Sequence, residues 1–290
     1  MIKEIQAKTL LSHIKQPDTW FGLKYNMNLY RGCEHQCIYC DSRSECYQIE
    51  KFSDVLVKVN AIPLLRKELA SKRVKGTIGT GSMSDPYTHA ERRYNLTGQA
   101  LGIIAEFGFP VHIITKSDMI LKDLETLRDI NRALAVVSFT ITTTDDELGK
   151  KLEPGAALVS QRLQAMEVLA TNGIHVGVTM MPILPFIEDN EDNIADIIRR
   201  AKDVGATYIL PSMSMTLRDR QRDYYYEKLD KLFPGLSDKY RKKFGGRYGC
   251  PANNADRLYK LFSDLCEQYG IATRVPQYAP PPSPEQLTLF

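Results

Sequence analysis

Apolar positions along this chain fall into two alternating rhythms. Short apolar runs bounded by Gly, Pro or Asn read as strands: Lys24–Tyr30 (KYNMNLY), Gly76–Met83 (GTIGTGSM), Val111–Lys116 (VHIITK), Leu134–Thr142 (LAVVSFTIT), Ile174–Leu184 (IHVGVTMMPIL) and Thr207–Met213 (TYILPSM). Between them, apolar residues return every three or four positions and predict helices within Asp54–Leu69, Leu96–Phe107, Leu121–Asn131, Gln161–Thr171 (stopped by Gly173) and Asn190–Val204. Strands that are apolar along their length and separated by helices imply a parallel sheet covered by helices. Six such units fit a partial (βα)6 barrel, an α/β fold; an open doubly wound sheet is the alternative. Either places functional groups at the C-terminal strand ends. The pattern divides the chain into an irregular N-terminal extension (1–23), the core (24–217), a helical C-terminal extension (218–275) with a helix at Ala255–Tyr269, and an extended Pro-rich tail (276–290).

Composition narrows the class. Hydrophobic residues make up 43% and charged residues 25% of 290 positions, which excludes a disordered or fibrous chain. No run is long enough for a membrane-spanning helix. Lys+Arg 38 against Asp+Glu 35 leaves +3, which points to no partner. Six cysteines, three of them within eight residues, behind an N-terminus without an apolar signal core, favour a reducing cytoplasm and thiols kept for metal or redox work.

Cys33, Cys37 and Cys40 stand in GCEHQCIYCD, just after a predicted strand. Three thiolates on one short loop suit an iron–sulfur cluster or zinc. A structural zinc site needs a fourth ligand, from His35 or Cys46; a cluster with three protein ligands keeps one iron open for a small molecule.

The spacing C-x3-C-x2-C, with Tyr39 before the last cysteine, resembles the signature of radical S-adenosylmethionine enzymes. NLYRGCEHQCIYCDSR, SMSDPYTHAE, ITKSDMILKDLETL, VSFTITTTDDELGKKLEPGA and MMPILP together resemble the branch that contains spore photoproduct lyase and DNA repair photolyase-like proteins. The resemblance runs from about Asn28 to Pro185 and more weakly to Tyr269. It implies a [4Fe-4S] cluster on Cys33, Cys37 and Cys40, with S-adenosylmethionine on the fourth iron. A one-electron reductant of flavodoxin or ferredoxin type would release a 5′-deoxyadenosyl radical that abstracts a substrate hydrogen, while the protein orients and shields the chemistry. It further implies that Ser82, Ser84 and Asp85 cradle the methionine amino group, Lys116 pairs with the cofactor carboxylate, Ser138 meets the ribose, Glu153 supports the pocket, Pro182–Pro185 borders the adenine and Tyr39 lies near it. The bland readings are a tight turn before Pro86, a snorkelling strand-end lysine, a backbone-bonded serine, a helix-end carboxylate, a strand terminator and ordinary packing.

One position departs from that branch. Spore photoproduct lyase carries a hydrogen-donating cysteine where this chain has Ser82, and a serine hydroxyl is a far poorer hydrogen-atom donor. The same thymine-dimer reversal by the same route is therefore not expected. Cys250, in a loop after Gly249, is the replacement candidate; Cys266 reads as a buried structural thiol and Cys46 is unassigned.

Two further motifs suggest partners. Lys239–Tyr248 (KYRKKFGGRY) interleaves cations with Tyr240, Phe244 and Tyr248, as a nucleic-acid strip would; a solvated helix face is the plain alternative. The closing QLTLF resembles the bacterial sliding-clamp pentapeptide, with Gln286, Leu287, Leu289 and Phe290 as contacts and Thr288 as a departure. The leading expectation is a radical enzyme acting on nucleic acid, repair-lyase-like. The alternatives are the same core acting on a peptide or metabolite, and a zinc-stabilised nucleic-acid-binding module.

Overall fold

The structure is a computed structural model that describes residues 1–15, 20–49, 51–52 and 54–280. Its main sheet holds six parallel strands in sequence order: β1 (Tyr25–Met27), β2 (Ile78–Thr80), β3 (Val111–Thr115), β4 (Ala135–Thr140), β5 (His175–Met180) and β6 (Tyr208–Pro211). Parallel pairing runs unbroken from β1 to β6. A doubly wound sheet would reverse its strand order at a switch point. Here the order never reverses, so each right-handed crossover carries the chain the same way round, as in a partial barrel.

The predicted helices appear at Ala61–Ala70, Leu96–Phe107, Leu124–Ile130, Val159–Thr171, Glu191–Asp203 and Ala255–Tyr269. The segment before Leu124 is 3-10 helix, Asp118–Asp123, entered through the Ser117 side chain, which caps Met119 N–H at 3.2 Å. Strand apolarity does what it predicted: Val111, Ile113, Val137, Phe139, Val176 and Val178 are buried in one continuous core.

Several boundaries differ from the sequence reading. The 1–23 segment is not irregular: Ile2–Ile5 pairs in parallel with Val55–Lys58, and Leu11–His13 adds an antiparallel edge strand beside β1. The run read as one strand at Lys24–Tyr30 splits, because Tyr30–Arg31 leaves the barrel to pair with Val55–Lys58. Asp146–Leu152 forms a helix that the apolar pattern did not signal; the Asp145 carboxylate caps Glu147 and Leu148 N–H.

The C-terminal extension adds helices at Asp219–Leu232 and Leu236–Phe244, with an antiparallel pair between Ser214–Thr216 and Gly249–Pro251. After its last helix the chain bridges β6 at Ala272. Val275 is buried, with Tyr278 packed beside it, so the Pro-rich tail does not leave the body at 276 as its composition suggested. Among the described residues no helix is long and apolar enough to cross a membrane.

Candidate active site at the barrel mouth

A cavity of about 450 Å3 opens at the C-terminal strand ends. Cys33, Cys37 and Cys40 line it together with Tyr39, His35, Ser82, Ser84, Asp85 and Lys116, so the structure brings most of the sequence-predicted residues to one place. All three cysteines carry free thiols; Cys33 and Cys37 are buried and Cys40 half-buried. Burial pushes the Cys37 and Cys40 thiols up; it also opposes ionisation of Cys33, but the adjacent His35 outweighs it and holds that thiol below the usual range.

The segment after β2 reaches the cavity through Gly81. Its φ is +101°, and a Cβ there would stand 2.1 Å from the Ile114 carbonyl oxygen, so only glycine fits between β2 and β3. Ser82 Oγ lies 3.3 Å from Asn26 Oδ1. Ser84 Oγ is buried against the cavity with no hydrogen-bond partner among the described residues, a polar atom waiting for a ligand.

Asp85 has a different job from the one expected. Its Oδ1 accepts from Tyr87 N–H (2.9 Å) and the Thr115 hydroxyl (2.8 Å), its Oδ2 accepts from Lys116 N–H (2.7 Å), and His35 Nδ1 lies 3.3 Å from Oδ2. Burial would raise this carboxyl, but His35 and these donors hold it at about 2. Asp85 thus fastens the β2 exit, the end of β3 and the cysteine loop to one another, and its oxygens are committed to protein.

Lys116 directly follows β3 and reaches the cavity with its side chain 19% exposed. Behind it stands Glu153, fully enclosed. Glu153 pairs with Arg162 Nη2 at 2.5 Å, approaches Lys116 Nζ at 4.0 Å and accepts the Tyr39 hydroxyl. Burial alone would raise Glu153, yet Arg162 and Lys116 bring it below the usual carboxylate range. Burial opposes the Lys116 charge, but Cys37 and Glu153 push its pKa up to about 12. Glu153 thus stands behind two residues of the cavity wall, Lys116 and Tyr39. The Gly155 turn packs on the cysteine loop, where a Cβ would meet the Glu34 carbonyl oxygen at 2.1 Å.

Three expectations are corrected. Ser138 is not part of the cavity wall: its hydroxyl lies 2.7 Å from His112 Nε2 and 2.6 Å from the Tyr208 hydroxyl, in a polar network inside the barrel whose His112 member lines the cavity. Cys250 is not in an exposed loop. It is fully buried in the Gly249–Pro251 strand, where burial raises its thiol, and it stands outside the cavity wall, paired with Met215, which lines it. The Lys239–Tyr248 strip is not an interleaved stacking platform, because Tyr240 and Phe244 are buried and Tyr240 donates to the Pro185 carbonyl at 2.7 Å. Its cations and Tyr248 do face solvent.

Cys266 is buried on its helix, as read. Cys46 is exposed, 3.4 Å from Ser44 Oγ, and outside the cavity wall. Pro182 lines the cavity; residues 286–290 lie outside the described residues.

Sequence reasoning missed Arg162. Its signal was present: it shares the helical face of Val159 and Met166, and a cation in an apolar stripe needs an acid. It also missed His112 and the floor threonines Thr140 and Thr179, whose hydroxyls are 3.0 Å apart. At the rim it missed Asp41, which accepts from Arg218 Nη2 (2.6 Å) and the Thr216 hydroxyl (3.0 Å).

Comparison with known proteins bears on this site. A family model described as the Radical SAM superfamily matches residues 27–205. An uncharacterised protein of Mycobacterium tuberculosis is 28% identical over 300 residues, covering 99% of this chain and 87% of its own length. An uncharacterised protein of Methanocaldococcus jannaschii is 33% identical over 193 residues, 66% of this chain and 70% of that protein. A radical SAM Nalpha-GlyT isomerase of Pseudomonas phage M6 is 22% identical over 213 residues, 73% of this chain and 41% of the phage protein. Among solved structures, spore photoproduct lyase complexed with dinucleoside spore photoproduct superposes with a TM-score of 0.68 at 17% identity, covering 93% of this chain and 81% of that one.

Proposed function

This chain belongs to the radical SAM superfamily, and on that footing we propose that Cys33, Cys37 and Cys40 hold its cluster, that the barrel-mouth cavity binds S-adenosylmethionine, and that the enzyme abstracts hydrogen from a nucleic-acid substrate. The superfamily's cofactors are a [4Fe-4S] cluster and S-adenosylmethionine. When bound and reduced, they supply a 5′-deoxyadenosyl radical. The observation that carries the reading is the shared cavity: three soft thiol donors, a Ser84 hydroxyl with no partner among the described residues and the Lys116 ammonium face the same space.

The chain's own residues do the rest. Lys116, backed by Glu153, offers its N–H donors to a carboxylate. Ser84 Oγ accepts from an ammonium, and Ser82 sits beside it. Pro182 borders the aromatic end of the ligand, and Tyr39 is held with its hydroxyl on Glu153. The enclosed walls of Thr140, Thr179 and Met215 keep water from the reacting atoms. Ser82 carries no thiol, so the hydrogen returned to product comes from elsewhere or from the cofactor itself. The zinc-module alternative falls with the family assignment.

Support for the substrate class is the solvent-facing row Lys239, Arg241, Lys242, Lys243 and Arg247, next to Tyr248, whose ring lies 5.2 Å from the Arg218 guanidinium at the cavity rim. The spore photoproduct lyase structure compared above is complexed with dinucleoside spore photoproduct, which agrees in kind. A one-electron donor of flavodoxin or ferredoxin type, cytoplasmic residence, and clamp binding through Gln286, Leu287, Leu289 and Phe290 complete the proposal.

Anaerobic reconstitution tests the core: the wild type cleaves S-adenosylmethionine on reduction and Cys37→Ala does not. Retained cleavage in Cys37→Ala overturns the ligand assignment. Deuterium passing from labelled DNA or RNA into 5′-deoxyadenosine supports the substrate class; transfer only from peptides or metabolites refutes it. Deleting residues 286–290 removes binding to a purified sliding clamp while leaving cofactor cleavage intact.

A further inference from the structure

The cysteine loop has a second side, away from the cavity, and one cation gathers it. Arg43 lies three residues beyond Cys40 and is only 8% exposed. Its guanidinium is stacked between the Phe52 ring, 4.2 Å away, and the Tyr224 ring, 3.7 Å away. Its backbone N–H donates to the Cys40 carbonyl at 3.2 Å, and its Nε lies 3.5 Å from the Cys37 carbonyl. Its Nη2 donates to Gln36 Oε1 at 2.8 Å, and Gln36 Nε2 donates in turn to the Cys33 carbonyl at 2.7 Å. The Arg43 side chain therefore reaches the Cys37 carbonyl directly and the Cys33 carbonyl through Gln36, while the backbone N–H of the same residue holds the Cys40 carbonyl.

The C-terminal extension completes this arrangement. Tyr224 provides one stacking face, Arg220 Nε donates to the Arg43 carbonyl at 2.7 Å, and Gln221 Nε2 donates to the Tyr39 carbonyl at 3.2 Å. Burying a cation is costly unless its donors and faces are filled. Lysine could bring the charge, but it could not lie flat between two rings while its donors reach separate acceptors. The cysteine spacing assigns no role to Arg43, and its side chain does not line the cavity.

We propose that Arg43 is a positioning residue for the iron–sulfur centre. It fixes the backbone of the cysteine loop, and it keeps a permanent positive charge beside that loop which favours the reduced, more negative form of the cluster. This rests on the assignment of the cluster to Cys33, Cys37 and Cys40. Net charge, hydrogen bonding and exposure are the levers a protein has on the potential of such a centre. A charge shielded from water acts more strongly than one at the surface. Tyr224 makes the seating of the C-terminal extension part of the same device.

The test reads the centre itself. Wild type, Arg43→Met, Arg43→Lys and Tyr224→Leu are reconstituted anaerobically. Iron content, the EPR spectrum of the reduced centre and its midpoint potential are then measured. Arg43→Met is expected to keep a four-iron centre with a more negative potential. The reduced-to-oxidised ratio at a given poise falls about tenfold, which is about 59 mV for a one-electron couple. Arg43→Lys falls less than Arg43→Met and broadens the EPR signal, because charge stays while stacking is lost. An Arg43→Met centre with the wild-type potential overturns the proposal. Should that variant not fold, Tyr224→Leu decides: a broadened signal supports the device, and an unchanged spectrum overturns it. Failure of the ligand assignment looks different, since Cys37→Ala would then retain the full centre.

Discussion

The wall behind Lys116 and the loop that follows β5 each bury a carboxylate, and they do so in opposite ways. Glu153 is surrounded by Arg162, Lys116 and the Tyr39 hydroxyl, and it is held ionised. Glu188, also fully enclosed, lies 2.6 Å from the Thr142 hydroxyl and accepts the Leu184 N–H at 3.0 Å. Burial pushes it well above the usual carboxylate range. Burial is common to both, so the partners decide. Where cations stand beside the acid it becomes a fixed charge that aims Lys116 into the cavity. Where a hydroxyl and an amide stand beside it, it becomes a neutral staple holding the PILP loop. The two also tilt stability against pH in opposite directions. The depressed Glu153 contributes stability that is present above its unfolded value and lost as pH falls through its folded value. The raised Glu188 favours the fold most below its unfolded value, and that contribution declines as pH rises toward its folded value.

The strongest way to break this comparison is to neutralise Glu153. Glu153→Gln leaves Arg162 buried without its counter-charge and should cost about 3–5 kcal/mol in denaturant unfolding. A loss below about 1 kcal/mol would mean the pair is not the anchor. Arg162→Met should cost slightly less, and it removes the cation that keeps Glu153 ionised. Its deficit against wild type should therefore be small near pH 4 and grow toward pH 8 in thermal unfolding; a deficit constant with pH would contradict a depressed Glu153.

Glu188→Gln should go the other way. The amide can accept from Leu184 N–H and donate to Thr142, so the variant matches wild type at acidic pH and gains about 1–3 kcal/mol by pH 8. Equal melting temperatures across that range would show that Glu188 titrates normally. The smallest effect is expected at the third buried polar group: Ser138→Ala should cost about 1 kcal/mol and leave S-adenosylmethionine affinity unchanged, whereas weakened cofactor binding would restore the ribose contact that the structure argues against.

The sheet was legible because buried parallel strands must be apolar throughout, and the cysteine loop because its three thiols sit within eight residues. The strand ends were legible for the same reason: Ser84 and Lys116 interrupt apolar runs where the runs stop. Ser138 misled because a hydroxyl inside such a run has one visible property, its polarity, while its partners His112 and Tyr208 are 26 and 70 residues away. Arg162 was legible from its place in an apolar stripe, with its acid Glu153 only nine residues before it, whereas Arg43 was hidden because Tyr224, the ring that closes its burial, comes from the C-terminal extension. Tyr240 and Phe244 misled in the opposite sense. Their helix turns them inward, at a spacing that periodicity counts as core as readily as it counts a stacking platform.

The close of the chain against the barrel sets a length scale. Ala272 bridges β6. Val275 and Tyr278 share a cluster with Phe21 and Met181, both of which also line the cavity. From Pro280 the covalent chain to Phe290 can extend no farther than about 36 Å, at the maximal reach of roughly 3.6 Å per residue. A partner bound at residues 286–290, as proposed above, would therefore be tethered within that radius of the barrel's side. A partner that travels along a polymer would carry the cavity with it as a short-leashed passenger, sampling only the stretch of polymer the partner has just reached or just left.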